Sequence, residues 1–179
     1  MRIIAGKHRG LTLKSFDFDG TRPTSDKVRE AIFSKIQFNI VGRYCLDLFG
    51  GTGAITLELL SRGADKVVVC DNNIKSINLI KENATKCREC PIVIKSDFKS
   101  VLNDFASRGE KFDIIFLDPP YKSDYGNTSI QMISNLKLLN DDGIIIYESD
   151  KNSVVDPCDF ELYDEKVYGT IKVSFLRKV

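Results

Sequence analysis

The tetrapeptide Asp118-Pro119-Pro120-Tyr121 follows the run Phe112-Asp-Ile-Ile-Phe-Leu117. The unbroken Ile- and Phe-rich character of that run predicts a strand covered on both faces. The four residues are therefore expected at a carboxyl strand end, where open α/β sheets bind their ligands. Proline fixes its own φ, lacks an N–H and drives the preceding residue to extended geometry. Asp118 and Pro119 are accordingly expected outside any helix, with their carbonyls available. A carboxylate, free carbonyls and an aromatic ring suit a planar group bearing an NH2, which needs two acceptors and a face to stack on. A primary amine on a nucleobase fits that description. The plainer reading is a Pro-Pro turn with a surface Asp and a half-buried Tyr.

A second chemical signal lies upstream, in Tyr44-Cys-Leu-Asp-Leu-Phe-Gly-Gly-Thr-Gly53. Here a short apolar strand runs into three glycines and then into a helical pattern. Glycines allow positive φ and close backbone approach, and a helix N-terminus offers unpaired N–H groups. The dinucleotide fingerprint would require a third fingerprint glycine at position 56, but Thr56 stands there,. Asp47 would repel a pyrophosphate and favour a cation or an amine. The turn therefore reads as a site for a cationic nucleoside.

Two further strands end in acids. Lys66-Val-Val-Val-Cys-Asp71 places a carboxylate 24 residues after Asp47, the separation at which a ribose-binding acid is expected. Pro91-Ile-Val-Ile-Lys-Ser-Asp97-Phe98 pairs an acid with a ring that could lie against adenine. Acids at four consecutive strand ends are hard to attribute to packing alone.

These segments, in this order and spacing, resemble class I S-adenosylmethionine-dependent methyltransferases that modify exocyclic amines. Met1-Arg-Ile-Ile-Ala-Gly-Lys-His-Arg-Gly10, Gly20-Thr-Arg-Pro-Thr-Ser-Asp-Lys-Val-Arg-Glu-Ala-Ile-Phe33 and Val167-Tyr-Gly-Thr-Ile-Lys-Val-Ser-Phe175 narrow the likeness. They are similar to RsmD-type 16S rRNA guanine-N2 methyltransferases, and the likeness spans essentially the whole chain. Gly50 and Thr52 stand where the family more often has Ala and Ser, conservative departures. The resemblance implies S-adenosyl-L-methionine as cofactor and 16S rRNA, presented in the small ribosomal subunit, as partner. It also implies roles. Asp47, Phe49, Gly50, Gly51 and Gly53 would hold the methionine end, Asp71 with Asn72 the ribose, and Asp97 with Phe98 the adenine. The catalytic group would be Asp118, Pro119, Pro120 and Tyr121, the carboxylate and the Pro119 carbonyl accepting from the target amine while Tyr121 stacks on the base.

The rival readings are adenine-N6 or protein glutamine methylation through the same hook, a nicotinamide-dependent dehydrogenase, and a catalytically inactive RNA-binding assembly protein. Thr56 and Asp47 count against the dehydrogenase. An intact turn and hook in one chain count against the inactive protein.

Composition agrees with an enzyme of this kind. The 179 residues suit one folded unit with an ordinary 42% apolar content,. No apolar run approaches a membrane span, and the start lacks a signal-peptide pattern, so no membrane partner and a cytoplasmic location are expected. Five cysteines, an odd number, fit reduced thiols,. Cys87-Arg-Glu-Cys90 is a lone pair with the only histidine, His8, far away in sequence, so no metal is expected,. A monomer is expected.

The net charge of +1 conceals an asymmetry. Residues 1–43 carry nine Lys/Arg against four Asp/Glu, and the remainder seventeen against twenty-one. Lys7, Arg9, Lys14, Arg22, Lys27 and Arg29 are the candidate phosphate contacts. The expected organisation is a basic arm over residues 1–42, comprising a small β-hairpin and a helix capped by Ser25 or Asp26 and facing RNA, followed by a cofactor-binding catalytic domain over residues 43–179. The expected fold is α/β: the Rossmann-like class I methyltransferase fold, a mostly parallel sheet closed by a C-terminal antiparallel hairpin. Its strands are placed near 44–48, 66–70, 91–95, 112–117 and 143–148, with the hairpin turning at Gly169.

Overall fold

The computed structural model describes residues 1–16, 26–120 and 123–179. The Thr21-Arg22-Pro23-Thr24 segment, the Ser25 cap and Tyr121 lie outside the described residues.

Seven strands form one sheet in the order β3-β2-β1-β4-β5-β7-β6. They are β1 (Tyr44–Asp47), β2 (Lys66–Asp71), β3 (Ile92–Lys95), β4 (Phe112–Leu117), β5 (Leu139–Asp150), β6 (Phe160–Tyr168) and β7 (Ile171–Lys178). The first five pair in parallel, and β7 joins antiparallel to both β5 and β6. The expected parallel sheet with a terminal hairpin is what the chain forms. The fifth strand is longer than its apolar core suggested. It begins at Leu139, which pairs with Phe112, and the register shifts between Phe112 and Ile114 so that the polar stretch 140–143 is carried along.

Side chains alternate between the two faces with the period of two that a strand imposes. Cys45, Ile114, Ile144, Ile146 and Phe175 lie in one core, together with α1 (Asp26–Ile36) and α2 (Ala54–Ser61). Leu46, Ile115, Leu117, Ile145 and Leu176 lie in the other, with α4 (Phe98–Ser107) and α5 (Tyr125–Asn135). Helix α3 (Ile74–Cys87) buries Ile77, Ile80, Asn83, Ala84 and Cys87, one stripe at helical spacing. Every residue of α2 is buried, because the helix is covered by the sheet on one side and by residues 1–13 on the other.

The arm forms the expected hairpin only in outline. Arg2 and Thr12 make an isolated antiparallel bridge, supported by Ile3 N–H to Leu11 O at 3.0 Å and Leu13 N–H to Met1 O at 3.0 Å. Ile3 and Leu13 enter the same core as α1 and α2. The face Val28, Ile32, Phe33 and Ile36 of α1 is buried as its spacing predicts.

Arg29 requires a correction. Read as an RNA-facing cation, it is instead completely buried and donates through Nη2 to Arg2 O and to Asp26 Oδ1, each at 2.7 Å. The reason is helical phase: positions 29, 32, 33 and 36 share one face, so Arg29 lies on the buried stripe.

Candidate active site at the carboxyl edge of the sheet

The chain lays down β1, β2 and β3 in one direction and β4 and β5 in the other, so the strand order reverses between β1 and β4. Such a reversal leaves a crevice above the carboxyl ends of the two central strands. Asp47 ends β1 and pairs in register with Phe116, two residues before Asp118, and Leu48 N–H donates to Phe116 O at 3.1 Å. The two acids singled out in the sequence therefore flank the crevice from neighbouring strands.

The turn after β1 is built tightly against β2 and α3. A Cβ on Gly50 would come within 2.3 Å of Val69 Cγ2, so only glycine lets the turn lie this low,. At Gly51, where φ is +53°, an added Cβ would meet nothing within 4 Å, so that side of the turn faces open space. The turn is thus seated on protein beneath and open above. Gly53 has φ +80° and leads into α2.

Asp47 is only 1% exposed and accepts from Thr56 Oγ1 at 2.7 Å. Thr56, the residue that breaks the dinucleotide fingerprint, therefore has a positive function here: its hydroxyl orients the carboxylate. Burial pushes the Asp47 carboxyl up to about 6, the Thr56 hydrogen bond opposes this, and the Asp71 charge adds to it,. Asp71 accepts Gly51 N–H at 2.9 Å through Oδ2 and Asn73 N–H at 2.8 Å through Oδ1. It thereby clamps the glycine turn to the end of β2. A carboxylate oxygen has two acceptor directions, so each oxygen can accept a further hydrogen bond. Asn72 is exposed beside it.

Asp97 caps α4, accepting from Lys99 N–H and Ser100 N–H at 3.1 and 3.0 Å, and the Ser100 hydrogen bonds hold its carboxyl below the usual range. Phe98 is buried between Phe49, at 5.6 Å centroid to centroid, and Tyr125, at 5.0 Å. This aromatic row links the loop after β1 to the helix that follows the hook. The structure thus gathers Asp47, Phe49, the glycine turn, Asp71, Asp97 and Phe98 along one edge.

In the hook, Asp118 is half-buried, Pro119 buried and Pro120 exposed. The Pro120 carbonyl accepts from Ser123 N–H at 3.0 Å and Ser123 Oγ at 2.6 Å. A cavity of about 10 Å³, room for one water, lies between Pro119, Tyr147, Glu148 and Ser149,. Glu148, fully buried near the end of β5, extends the row of strand-end acids to a fifth strand. The sequence reading missed it although the same pattern, an apolar strand ending in an acid, marks it.

The described basic residues differ in their partners. Lys7 pairs with Glu89 at 2.7 Å and Lys14 with Glu82, both acids on or just beyond α3, while 59% and 61% of these lysine side chains stay exposed. Arg9 and Lys27 are exposed without an ion pair among the described residues. Arg22 lies outside them. Also among the described residues, no group of three metal-ligating side chains occurs and no helix is long and apolar enough to cross a membrane.

Over residues 1–177 the sequence matches the family described as conserved hypothetical protein 95. The chain belongs to that family. It is 34% identical over 182 residues to a putative rRNA methyltransferase, YlbH, of Bacillus subtilis, covering 99% of each chain. It is 35% identical over 174 residues to the ribosomal RNA small subunit methyltransferase D of Escherichia coli, covering 96% of this chain and 86% of that one. Among solved structures, a putative methyltransferase yhhF from Escherichia coli superposes with a TM-score of 0.86 at 31% identity, covering 100% and 98%.

Proposed function

We propose that this chain is an S-adenosylmethionine-dependent methyltransferase that modifies the exocyclic N2 amine of a guanine in 16S rRNA, presented in the small ribosomal subunit, and that it works in the cytoplasm as a monomer. The observation that carries the reading is the pairing of the buried Asp47 turn and the Asp-Pro-Pro hook across the strand-order reversal, in a chain of this family.

The residues present suit the cofactor. Its ammonium and sulfonium charges match an edge lined by Asp47, Asp71, Asp97, Asp118 and Glu148, and the open side of Gly51 allows close approach,. When bound, S-adenosylmethionine supplies a methyl group on a cationic sulfur, already a good leaving group. What this chain must add is position. Holding the reacting groups in line is worth roughly 7–11 kcal/mol at best. Asp47 and the turn hold the amino-acid end, Asp71 the ribose, and Asp97 with the Phe49–Phe98 pair the adenine side.

The guanine N2 lone pair is delocalised into the ring. Asp118 and the Pro119 carbonyl accept its two hydrogens and so favour the lone pair on nitrogen. Asp118 need not be a strong base, because the methylated nitrogen is cationic and acidic and gives up its proton to a carboxylate or water. Tyr121 stacks on the base, which leaves its RNA stack at a cost of a few kcal/mol. Residues 1–42 form the RNA-facing arm and residues 43–179 the catalytic unit.

The test is to incubate the protein with labelled S-adenosylmethionine and small ribosomal subunits from a strain deleted for its own guanine-N2 enzyme, then to digest the RNA and identify the labelled nucleoside by mass. N2-methylguanosine is expected. Label in N6-methyladenosine or in a ribosomal protein glutamine would overturn the assignment.

A further inference from the structure

The N-terminal arm and the cofactor turn meet at one side chain, Asn83 of α3. It is completely buried. Its Nδ2 donates to Thr52 O at 3.0 Å and to Lys14 O at 3.0 Å, and its Oδ1 accepts Lys14 N–H at 2.9 Å. Both amide hydrogens and the amide oxygen are therefore used. The orientation of the amide is fixed by its partners, since a flipped amide would set its oxygen against two carbonyls. Thr52 lies between Gly51 and Gly53, inside the turn that carries the cofactor reading. One helical turn earlier, Ile80 lies under the same turn, with Cγ1 3.3 Å from where a Gly53 Cβ would be.

The other arm tethers attach elsewhere. Glu58, fully buried, accepts Ile4 N–H at 2.8 Å and Ala5 N–H at 3.0 Å. Ser61 takes His8 N–H at 3.0 Å on its Oγ and Lys7 N–H at 2.9 Å on its carbonyl. Lys86 Nζ donates to Thr12 O at 2.6 Å. Each holds the arm to α2 or α3 without touching the turn. At Asn83 the arm's backbone and the turn's backbone share one side chain, and Thr52 Oγ1 adds a contact to Met1 Sδ at 3.7 Å.

We propose that Asn83 is a positioning residue that couples docking of the arm to the shape of the cofactor turn, so that whatever holds the arm in place tightens cofactor binding. The inference rests on the methyltransferase reading. With the arm docked, Lys14 occupies one amide hydrogen and the amide oxygen, leaving the second hydrogen aimed at Thr52 O. With the arm released, the amide is free to turn towards water and the Thr52 carbonyl loses its partner. Coupling of this kind is reciprocal: bound cofactor stabilises the docked arm to the same degree. An arm held down by RNA would then bind cofactor more tightly than an arm at rest.

Two variants test this. Asn83→Asp keeps the shape and the acceptor for Lys14 N–H but replaces both donated hydrogens with an acceptor. Gly6→Ala disturbs docking at a distance, because the added Cβ would lie 1.9 Å from Ser61 O. Calorimetric Kd values for S-adenosylmethionine are compared with kcat on small subunits at saturating cofactor, and amide exchange over residues 1–16 reports docking. Asn83→Asp is expected to weaken cofactor binding roughly tenfold, the scale of one lost hydrogen bond with an unsatisfied group left behind, while kcat stays within about twofold. Gly6→Ala is expected to speed exchange in the arm and weaken binding in the same direction. In the double variant the second change is expected to add less than about twofold, because both act on one link. A folded Asn83→Asp protein with wild-type Kd, or fully additive effects, overturns the coupling. So does a Gly6→Ala protein whose arm exchanges freely while its Kd is unchanged, a comparison that decides the matter even if Asn83→Asp fails to fold. A wild-type protein that does not bind S-adenosylmethionine at all overturns the methyltransferase reading and the coupling together.

Discussion

The two sides of the strand-order reversal are built differently. On the β1–β2–β3 side the polar groups are held by local hydrogen bonds: Thr56 on Asp47, Gly51 and Asn73 on Asp71, Lys99 and Ser100 on Asp97. On the β4–β5 side Asp118 runs straight into two prolines, which have no N–H to give, and the Pro120 carbonyl accepts from Ser123. The first arrangement suits a ligand bound the same way in every cycle. The second, a carboxylate followed by two rigid prolines at a strand end, suits a group that is positioned for reaction. Changes on the first side are therefore expected in Kd for the cofactor and changes on the second in kcat.

The largest effect is expected from Asp118→Ala. Removing an acceptor aimed at the reacting amine should lower kcat by roughly 10²–10³-fold while cofactor Kd, measured by calorimetry, stays within about twofold. If cofactor binding is lost and kcat at saturation survives, the division between the two sides collapses.

Asp47→Asn is next, and it separates binding from stability. A raised carboxyl pKa means that the folded chain keeps a proton that the unfolded chain has released. The stability contribution of Asp47 is therefore most favourable below its ordinary value and is lost as pH rises to about 6, a loss of about 3 kcal/mol at most,. Asp47→Asn should raise the melting temperature at pH 7 and flatten its fall between about pH 4 and pH 6. The same variant should weaken cofactor binding, and wild-type affinity should itself decline as pH drops below about 6. An affinity independent of pH over that range would remove Asp47 from contact with the cofactor's ammonium.

Asp71→Ala should cost the 1.5–3 kcal/mol or so of charge-assisted hydrogen bonds in cofactor binding, with kcat little changed. A Kd equal to wild type would leave Asp71 as a clamp on the glycine turn and nothing more. The smallest effects belong to the arm. Arg9→Ala and Lys27→Ala should each flatten the plot of log affinity for small subunits against log salt by about 0.7–0.9 units. Lys7→Ala and Lys14→Ala should do less, since each lysine already has a carboxylate partner. Four parallel lines would mean that none of these residues meets phosphate.

The sheet was legible in the sequence because each parallel strand is a short apolar run with punctuation at its end, and an acid stands at or just after that end in all five, Glu148 being the one passed over. The start of β5 was not, since Asn140, Asp141 and Asp142 look like a loop and are carried into the strand only by the pairing of Leu139 with Phe112. Arg29 was misjudged because a count of charges ignores phase, although its spacing from Ile32, Phe33 and Ile36 carried the answer. The wiring of the arm was not legible at all. Glu58, Ser61 and Asn83 read as ordinary polar residues in helices, and their partners lie 53 to 69 positions away in the chain.

That wiring also sets a timetable for folding. Apart from the bonds of α1 to Arg2 and the contact of Thr52 with Met1, the tethers of the arm wait on α2, α3 or Glu89 just beyond it, and the Lys7 and His8 pairings with Glu89 span 82 and 81 residues. During synthesis at roughly 5–20 residues per second, the arm spends several seconds outside the ribosome before Glu89 is made, with Ile3, Leu11 and Leu13 unburied. Closing loops of this length is entropically slow compared with forming the helices that receive them. The arm is therefore made well before the segments that hold it and is among the last to settle. Within that interval its cations are unpaired and its apolar residues uncovered, and a nascent chain of this sequence is most exposed to chaperones and to stray RNA.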